Sequence, residues 1–253
     1  MNKCKWQILV IFFFVSTNVI FFTSDVRGEV ADSENSKLES TQPKTIDRET
    51  ETEALEPVTR VQTYAESWAI VSNVSELQTA LINKEPYIKF EDSTDAFDFG
   101  DKAIPITADV TIDGNGRHVS YDGGAYNANL GLYTATNGLT IKLQNMTFGA
   151  ADFTLPAVGL YGLMQSVVNT QLHIENVNYF SNKSAQPFYL RNVNSKIYFH
   201  GTNQFILQDD GQEFAECYNY EFTEGSHTTI IQNTNNELGC LWMPGNPARI
   251  TIG

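Results

Sequence analysis

The stretch that decides the fold is Val110-Thr-Ile112-Asp-Gly114-Asn-Gly116, in which apolar residues alternate with polar ones before a turn. The pattern of apolar, any, apolar, any and turn residue returns along the chain: Ile88-x-Phe90-x-Asp92, Ile141-x-Leu143-x-Asn145, Leu172-x-Ile174-x-Asn176, Ile197-x-Phe199-x-Gly201 and, with a weaker first position, Thr229-x-Ile231-x-Asn233. The turn residues 92, 114, 145, 176 and 201 lie 22, 31, 31 and 25 residues apart, an interval typical of stacked repeats.

Each repeat predicts a short strand that ends at a sharp turn. Alternating apolar residues share one face of a strand, whereas Gly, Asn and Asp tolerate left-handed backbone angles. Strands at this interval favour a parallel β-helix, whose successive coils pair through backbone hydrogen bonds about 4.8 Å apart. We expect the inner side chains to stack inward on successive coils as one ladder: Ile112, Leu143, Ile174 and Phe199. A β-sandwich is the alternative, although its strands usually follow one another more closely.

Length, composition and charge limit the class of protein. The chain has 253 residues, of which 12% are aromatic and 18% charged, and this suits one large all-β domain with a packed core. Its net charge of −14 argues against nucleic acid and against an anionic membrane surface as partners. We expect no membrane contact beyond the N-terminal targeting segment.

Residues 1–28 have the organisation of a signal peptide. Lys3 and Lys5 precede an apolar run over residues 6–22, and Val26-Arg-Gly28 offers small residues at a cleavage site. An uncleaved membrane anchor is the alternative, because the run approaches the length that spans a bilayer. Ser16-Thr-Asn18 interrupts the run, which favours cleavage. Either interpretation predicts an exported, extracellular protein.

Residues 29–67 have the composition of a disordered acidic linker. Glu, Asp, Ser and Thr dominate, as in Glu49-Thr-Glu-Thr-Glu53, and few apolar residues are present. The folded domain is therefore predicted over residues 68–253, and limited proteolysis is expected to leave a core that begins near Trp68. The C-terminal Ile250-Thr-Ile252 has the pattern of another strand. Two interpretations follow: the domain is truncated at this point, or its last coil is left unpaired for a partner.

One helix is predicted at the start of this domain. Residues 75–83 place Leu77, Ala80 and Leu81 on one face, and Ser75-x-x-Gln78 has the form of a capping box. A stack of coils exposes the backbone groups and the apolar interior of its first coil. We expect the helix to cover that end.

Three segments together resemble a known family. In chain order they are Val71-x5-Leu77-x2-Ala80-Leu81, Val110-Thr-Ile112-Asp-Gly114-Asn-Gly116 and Phe199-His-Gly201-Thr-Asn203-Gln-Phe205. In type and order they are similar to the pectate-lyase-like adhesive domain of Gram-positive cell-surface proteins, which often also carry a wall-binding WxL domain. The resemblance runs from about Trp68 to the C-terminus and implies a right-handed parallel β-helix, exported and associated with the cell wall.

The resemblance also implies a function. Such a domain is an adhesive or interaction module that binds an extracellular glycan, or a host or cell-wall protein, without a cofactor. The sequence departs from the family in containing no LPxTG-type sorting signal, so the mode of wall anchoring stays open, with secretion as the alternative.

Enzymes that cleave polysaccharides also use the β-helix, so catalysis has to be weighed from the residues. A lyase needs a cation and a basic side chain beside the sugar carboxylate, yet Arg117, Arg191 and Arg249 are scattered outside lyase motifs. A hydrolase needs paired carboxylates, and the one adjacent Asp pair, Asp209-Asp210, precedes Gly211 in a predicted polar turn. We predict a non-catalytic domain, with a polysaccharide lyase or hydrolase as the main alternative and a passive surface spacer as the second.

Candidate metal ligands are few. Asp92, Asp95 and Asp98 recur at intervals of three and are weak calcium candidates, because their spacing does not match a calcium-binding loop. His173 and His200 alternate with apolar strand residues and are expected to point outward. No metal site is predicted from these patterns.

Cys217 and Cys240 are the cysteines that follow the signal segment, and they lie 23 residues apart, about one coil. On neighbouring coils they come within range of a disulfide, and two buried thiols are the alternative. Asn145 and Asn176 share one coil position and are expected to form an amide ladder.

Several aromatic residues are candidates for an outward surface that stacks on sugars or anchors a protein partner, with burial in the core as the competing interpretation. They are Tyr121, Tyr126, Tyr133, Phe188, Tyr189, Tyr218 and Tyr220.

Overall fold

Alternation of apolar and polar residues gives strands that pair in parallel, each with the equivalent strand of a later repeat. The computed structural model describes residues 67–123, 131–210, 213–234, 241–243 and 249–253. All of them belong to one compact unit, Val61–Gly253. The predicted signal peptide and residues 29–66 of the predicted linker lie outside the described residues. Within the described ranges, no helix is both long and apolar enough to cross a membrane.

The described residues form one helix and 18 strands. In chain order they are β1 (Ala69–Val71), α1 (Val74–Ile82), β2 (Tyr87–Phe90), β3 (Phe97–Asp98), β4 (Ile104–Pro105), β5 (Val110–Asp113), β6 (His118–Asp122), β7 (Leu132–Thr134), β8 (Thr140–Phe148), β9 (Ala157–Ser166), β10 (Gln171–Ser181), β11 (Ala185–Leu190), β12 (Lys196–His200), β13 (Thr202–Asp209), β14 (Ala215–Cys217), β15 (Asn219–Phe222), β16 (His227–Thr234), β17 (Leu241–Trp242) and β18 (Arg249–Ile252).

These strands pair in three parallel columns. The first column contains β1, β2, β5, the first halves of β8 and β10, β12, β15 and β18. The second contains β3, β6, the second halves of β8 and β10, β13 and β16. The third contains β4, β7, β9, β11, β14 and β17. The described chain is therefore mostly β with a long parallel sheet, an arrangement compatible with a parallel β-helix.

The predicted inward ladder is confirmed in the first column. Its register places four apolar residues in one row on successive strands: Ile112, Leu143, Ile174 and Phe199. None of the four is more than 1% exposed. The second column has a buried row of its own, formed by Phe97, Val119, Phe148, Tyr179 and Phe205. Because apolar burial is the main favourable term in folding, these two rows carry much of the stability of the domain.

The predicted amide ladder is also confirmed, where Asn145 and Asn176 turn the chain from the first column to the second. Both have a left-handed backbone with φ of 54°, which Asn tolerates. Asn176 Nδ2 donates to Asn145 Oδ1 over 3.2 Å, and Asn145 Nδ2 donates to the carboxylate of Asp113 over 3.2 Å. Asn176 Oδ1 accepts the backbone N–H of Thr202 at 3.0 Å. A Cβ on Gly201 would lie 2.4 Å from the same oxygen, so this turn requires glycine.

The start of α1 differs from the prediction. The N-cap is Asn73, whose Oδ1 accepts the backbone N–H of Glu76 at 3.0 Å, and Glu76 Oε2 accepts the backbone N–H of Ser72 at 2.7 Å. The expected capping box at Ser75 and Gln78 is therefore wrong, because an Asn two residues earlier offers a better acceptor to the first turn. The predicted apolar face is confirmed, since Leu77, Ala80 and Leu81 are buried.

Two details of the repeat are also corrected. The left-handed residues of the first quoted turn are Asn115 and Gly116 rather than Gly114, and Asp113 Oδ1 accepts the backbone N–H of Asn115 at 2.7 Å. The predicted repeat at residues 229–233 is not in the first column, because β16 pairs with β13 of the second. In β16 it is Ile230 that packs against the core, whereas Ile231 is 43% exposed. The inward positions are therefore shifted by one residue from the predicted ones, which exchanges the inner and outer faces of the strand.

Candidate ligand-binding platform

The aromatic residues singled out in the sequence divide between core and surface. Three are completely buried, namely Tyr121, Phe188 and Tyr220. Tyr133, Tyr189 and Tyr218 are half-buried, and Tyr126 lies outside the described residues. Tyr133 and Tyr189 share one row of the third column, which brings two of the predicted surface aromatics onto the same face.

That row is the outward side of the third column. Its register aligns Tyr133, Gln165, Tyr189 and Glu216 on successive strands, and all four are half-buried. The row beside it is buried and contains Leu132, Met164, Phe188 and Ala215. Since neighbouring residues of a strand point to opposite faces, the first row faces solvent while the second packs in the core.

A bulge in β9 places a second tyrosine, Tyr161, beside Tyr189. The register of β9 and β11 shifts between Gln186 and Phe188, so residues 161–163 lie opposite the single residue Pro187. A proline in a strand interior is typical of such a bulge, because it donates no ladder hydrogen bond. Within the bulge Tyr161 has φ of 62°, a left-handed angle that is rare for a bulky residue and costs about 1–3 kcal/mol.

Glycine makes the bulge sterically feasible. A Cβ on Gly131 would lie 1.9 Å from the carbonyl oxygen of Gly162, and a Cβ on Gly162 would lie 2.9 Å from the ring of Tyr121. The two backbones therefore approach more closely than any side chain permits. Tyr161 is the residue that this close approach turns outward, onto Tyr189.

We call Tyr161, Tyr189, Gln186, Arg191 and Glu216 the tyrosine platform. The two tyrosine rings lie 4.3 Å apart between centroids, with their planes tilted by 36°. Arg191 Nη1 donates to the hydroxyl of Tyr189 over 2.6 Å, and its guanidinium lies 5.3 Å from the centre of that ring. Gln186 is 3% exposed and donates from Nε2 to Glu216 Oε1 over 3.0 Å. Charged, amide and hydroxyl groups thus surround a pair of aromatic rings.

Burial and neighbouring acidic groups act on the Tyr161 phenol of the platform. Burial raises the pKa of Tyr161 to about 12, with further contributions from the carboxylate of Glu216 and from Tyr189. Arg191 Nε lies 3.9 Å from Glu216 Oε2, and the arginine side chain is 48% exposed. The platform therefore presents the Tyr161 hydroxyl close to the guanidinium of Arg191 and the carboxylate of Glu216.

A second outward cluster lies on the first column. His173 and His200 point outward as predicted, and Nδ1 of His173 is 2.9 Å from Nε2 of His200. The ring of Tyr198 stacks on His173 with centroids 4.4 Å apart. Two ion pairs border these rings, Lys142 with Glu175 and Lys196 with Glu221. We call His173, Tyr198 and His200 the histidine cluster.

Burial and the neighbouring cations disfavour charged imidazoles in this cluster. The pKa of His173 is lowered to about 4, first by burial and then by His200 and Lys142. The pKa of His200 is also lowered, with burial as the main cause. A neutral pair suits the hydrogen bond between the two rings, because one nitrogen donates and the other accepts.

One calcium candidate, Asp95, contacts a buried arginine through its backbone. Arg117 is 6% exposed, and its guanidinium donates to the backbone carbonyl of Asp95 at 2.9 Å and to that of Glu91 at 3.3 Å. Asp98 Oδ1 instead accepts from Ser120 Oγ at 2.7 Å. Across the described residues, no three His, Cys, Asp or Glu side chains come together as a metal site, so Asp92, Asp95 and Asp98 are not gathered into one.

The remaining candidates are dispersed. Asp209 ends β13 with φ of 50° and Asp210 follows it in a turn, both exposed, as the predicted polar turn requires. Arg249 is exposed at the start of β18. Cys217 is buried and its thiol donates to the backbone carbonyl of Asn219 over 3.4 Å. Its expected disulfide partner, Cys240, lies outside the described residues, so the disulfide stays a prediction.

The comparisons with known proteins add no identity. No protein-family model, no curated protein and no solved structure matches this chain. The function therefore has to be argued from the side chains described above.

Sequence reasoning identified Tyr189 and Arg191 but did not connect them, and it missed Tyr161, Gln186 and Glu216. The signal for the missed residues was present in Gly159-x-Tyr161-Gly162 and in Gln186-Pro-Phe188. Both motifs place a strand-breaking residue inside an otherwise apolar strand, which marks a bulge.

Proposed function

We propose that this chain is an extracellular, non-catalytic adhesive module, secreted or displayed on a cell surface, that binds a glycan through the tyrosine platform. The single observation that carries the proposal is the outward pair of Tyr161 and Tyr189, held by a strained bulge and bordered by Arg191, Gln186 and Glu216. Backbone strain of this kind concentrates at functional sites, where the rest of the fold maintains it.

The proposed architecture is a right-handed parallel β-helix with α1 as its N-terminal cap. Support comes from the three parallel columns, and from the buried face of α1, whose Leu77 and Leu81 belong to the same apolar core as the first strands. Its Gln78 also donates to the carbonyl of Ala103 over 3.5 Å. Such a scaffold is rigid and long, and weak contacts on it add up when many copies are displayed together.

The chemistry of the platform suits a sugar. Aromatic rings offer apolar faces to the C–H surface of a pyranose, and the surrounding carboxylate, guanidinium and hydroxyl groups pair with its hydroxyls. A protein ligand is the alternative occupant, because exposed tyrosine and arginine side chains also anchor protein interfaces. We favour the glycan because the outward row of Tyr133, Gln165, Tyr189 and Glu216 offers aromatic and polar side chains in a line on successive strands, which suits an extended chain of sugars.

A polysaccharide lyase is the second candidate, and one observation favours it. Arg191 donates to the hydroxyl of Tyr189 over 2.6 Å, and a tyrosine hydroxyl beside a cation is the kind of pair that proton removal from a sugar would use. A lyase acting on uronate also needs a cation for the sugar carboxylate, and Arg191 is already shared by Tyr189 and Glu216. The contact therefore fits a binding role better than a catalytic one.

The test is a binding screen followed by an activity assay on the same polymers. The purified domain is expected to bind immobilised glycans, and Tyr189→Ala is expected to weaken that binding about tenfold. Tyr198→Ala, an outward tyrosine of the first column, is the matched control and is expected to keep it. A protein array run in parallel decides between the two classes of ligand.

The activity arm uses the bound polysaccharides together with pectate and added calcium, and it follows unsaturated products and new reducing ends. No turnover is expected. Turnover that disappears on replacing Arg191, Asp209 or Asp210 would replace the adhesive proposal with an enzyme.

A further inference from the structure

We propose that the tyrosine platform takes an uncharged glycan chain lying along the third column, across its strands, with Tyr161 as the residue that determines specificity. The inference rests on the adhesive function proposed above and adds to it the charge class and the direction of the ligand.

The direction follows from the register of the row. Tyr133, Gln165, Tyr189 and Glu216 follow one another on successive strands, so the row advances about 4.8 Å with each residue. This step is close to the length of one pyranose unit in an extended chain. A glycan along the row meets an aromatic ring, an amide, an aromatic pair and a carboxylate in turn. A glycan lying parallel to a single strand would contact only one residue of this row, because neighbouring residues of a strand alternate between the surface and the core.

The charge class follows from the ionisable groups around the rings. Arg191 supplies one cation, and its guanidinium already contacts the hydroxyl of Tyr189 and lies near Glu216. Against it stands the Glu216 carboxylate, which accepts from Gln186 and lies 3.9 Å from Arg191 Nε, and both Glu216 and Glu213 raise the pKa of Tyr161. The whole chain carries a net charge of −14. A sugar carboxylate would therefore meet net repulsion, whereas hydroxyl groups pair with donors and acceptors of either charge.

Specificity is assigned to Tyr161 because its position is imposed by the fold. The close approach of Gly131 and Gly162 fixes the bulge, and φ of 62° turns the side chain onto Tyr189. The second ring widens the aromatic surface at this one step of the row. It also places a second phenol hydroxyl where it can donate to a sugar oxygen.

The test uses one polymer in two charge states. Polygalacturonate is compared with the same polymer after chemical reduction of its carboxyl groups, so that backbone, linkage and length are matched. Calorimetry or biolayer interferometry on the full domain is expected to give at least tenfold tighter binding of the reduced, uncharged form. Equal binding of the two forms, or tighter binding of the acidic form, would overturn the assignment of charge class.

Variants then locate the site. Tyr189→Ala and Tyr161→Ala are each expected to weaken binding of the uncharged polymer about tenfold, the effect of losing one central aromatic contact. Tyr189→Phe keeps the ring and is expected to weaken it less than threefold, which separates stacking from loss of folding. Glu216→Gln is expected to strengthen binding of the acidic polymer severalfold, because it removes the carboxylate that repels that polymer.

Direction is tested with oligosaccharides of increasing length. Affinity for the uncharged oligosaccharides is expected to rise with length until the oligosaccharide reaches from Tyr189 to Tyr133. Tyr133→Ala is expected to remove the extra affinity of the longer oligosaccharides and to leave the affinity of the shorter ones unchanged. A Tyr133→Ala variant with an unchanged length dependence would exclude the axial arrangement.

The outcomes separate this inference from the proposed function. Binding of acidic but not uncharged polymers contradicts the inference and leaves the adhesive function intact. Absence of binding to every glycan in the panel, with capture of a protein ligand that Tyr189→Ala removes, contradicts both the inference and the glycan assignment.

Discussion

The first and third columns use the same kind of strand for opposite purposes. In the first column, Ile112, Leu143, Ile174 and Phe199 occupy one unbroken row, and each side chain is sealed from solvent. In the third column the register breaks opposite Pro187, and the extra residues push Tyr161 outward in a strained conformation. Regular pairing here supplies stability, and the one large irregularity supplies a surface with distinctive chemistry.

The largest expected effect comes from placing a charge in the regular row. Ile174→Asp is expected to destabilise the domain by several kcal/mol, because Ile174 is fully buried in the apolar core and a carboxylate there loses its hydration. Chemical denaturation of the domain measures the change. Gln171→Asp, an exposed position at the start of the same strand, is the matched control and is expected to change stability by less than about 0.5 kcal/mol.

A comparable loss for the two variants would mean that the row is not the stabilising core of the domain. A smaller loss at Ile174 than at Gln171 would contradict the stabilising role given to the buried row of the first column.

The second expected effect concerns the amide ladder at the turn of the first column. Asn176→Ala removes the bonds to Asn145 and to the backbone of Thr202 and leaves a Cβ at positive φ, so a loss of about 1–2 kcal/mol is expected. Asn176→Gly removes the same bonds without the conformational cost. Thermal unfolding of both variants is expected to place the glycine variant between wild type and Ala, and the reverse order would contradict the role given to the backbone angle.

The regular parts of the fold were predictable because each follows from a local rule. Alternation at Val110 and Ile112 is visible over five residues, and the left-handed turn at Asn145 depends on the type of one residue. The tyrosine platform was not predictable in the same way. It depends on Gly131 meeting Gly162, two residues on neighbouring strands whose approach no local pattern specifies. The inward position of Ile230 was missed for a similar reason. Ile230 and Ile231 are both apolar, so the local pattern does not show which of them faces the core.

The third expected effect is a pH dependence that originates in the histidine cluster. The pKa of His173 is lowered to about 4 in the folded domain, whereas an unfolded histidine titrates near 6.5. Between these values the unfolded chain binds more protons, so the stability present above pH 6.5 is lost as the pH falls toward 4. The neighbouring Lys142 and Lys196 oppose protonation, and Glu221 favours it.

Solvent screening at this half-buried site reduces the effect to about 1 kcal/mol between pH 7 and pH 5. The measurement is the free energy of unfolding of wild type and of His173→Gln across this range. The difference between the two is expected to change with pH in the stated direction. A constant difference would show that His173 titrates alike in the folded and unfolded chain.

The smallest expected effect on stability, and the sharpest test of the contrast between the columns, is Tyr161→Gly. Glycine adopts φ of 62° without strain, which favours the variant by about 1 kcal/mol, while loss of the ring contact with Tyr189 opposes it by a similar amount. The free energy of unfolding is therefore expected to change by less than about 1 kcal/mol, while binding of the uncharged polymer weakens about tenfold. Tyr198→Ala, which removes an outward tyrosine from the regular first column, is expected to leave that binding unchanged. If Tyr161→Gly unfolds the domain as readily as Ile174→Asp does, the bulge is part of the structural core, and the strained tyrosine is not maintained for a ligand.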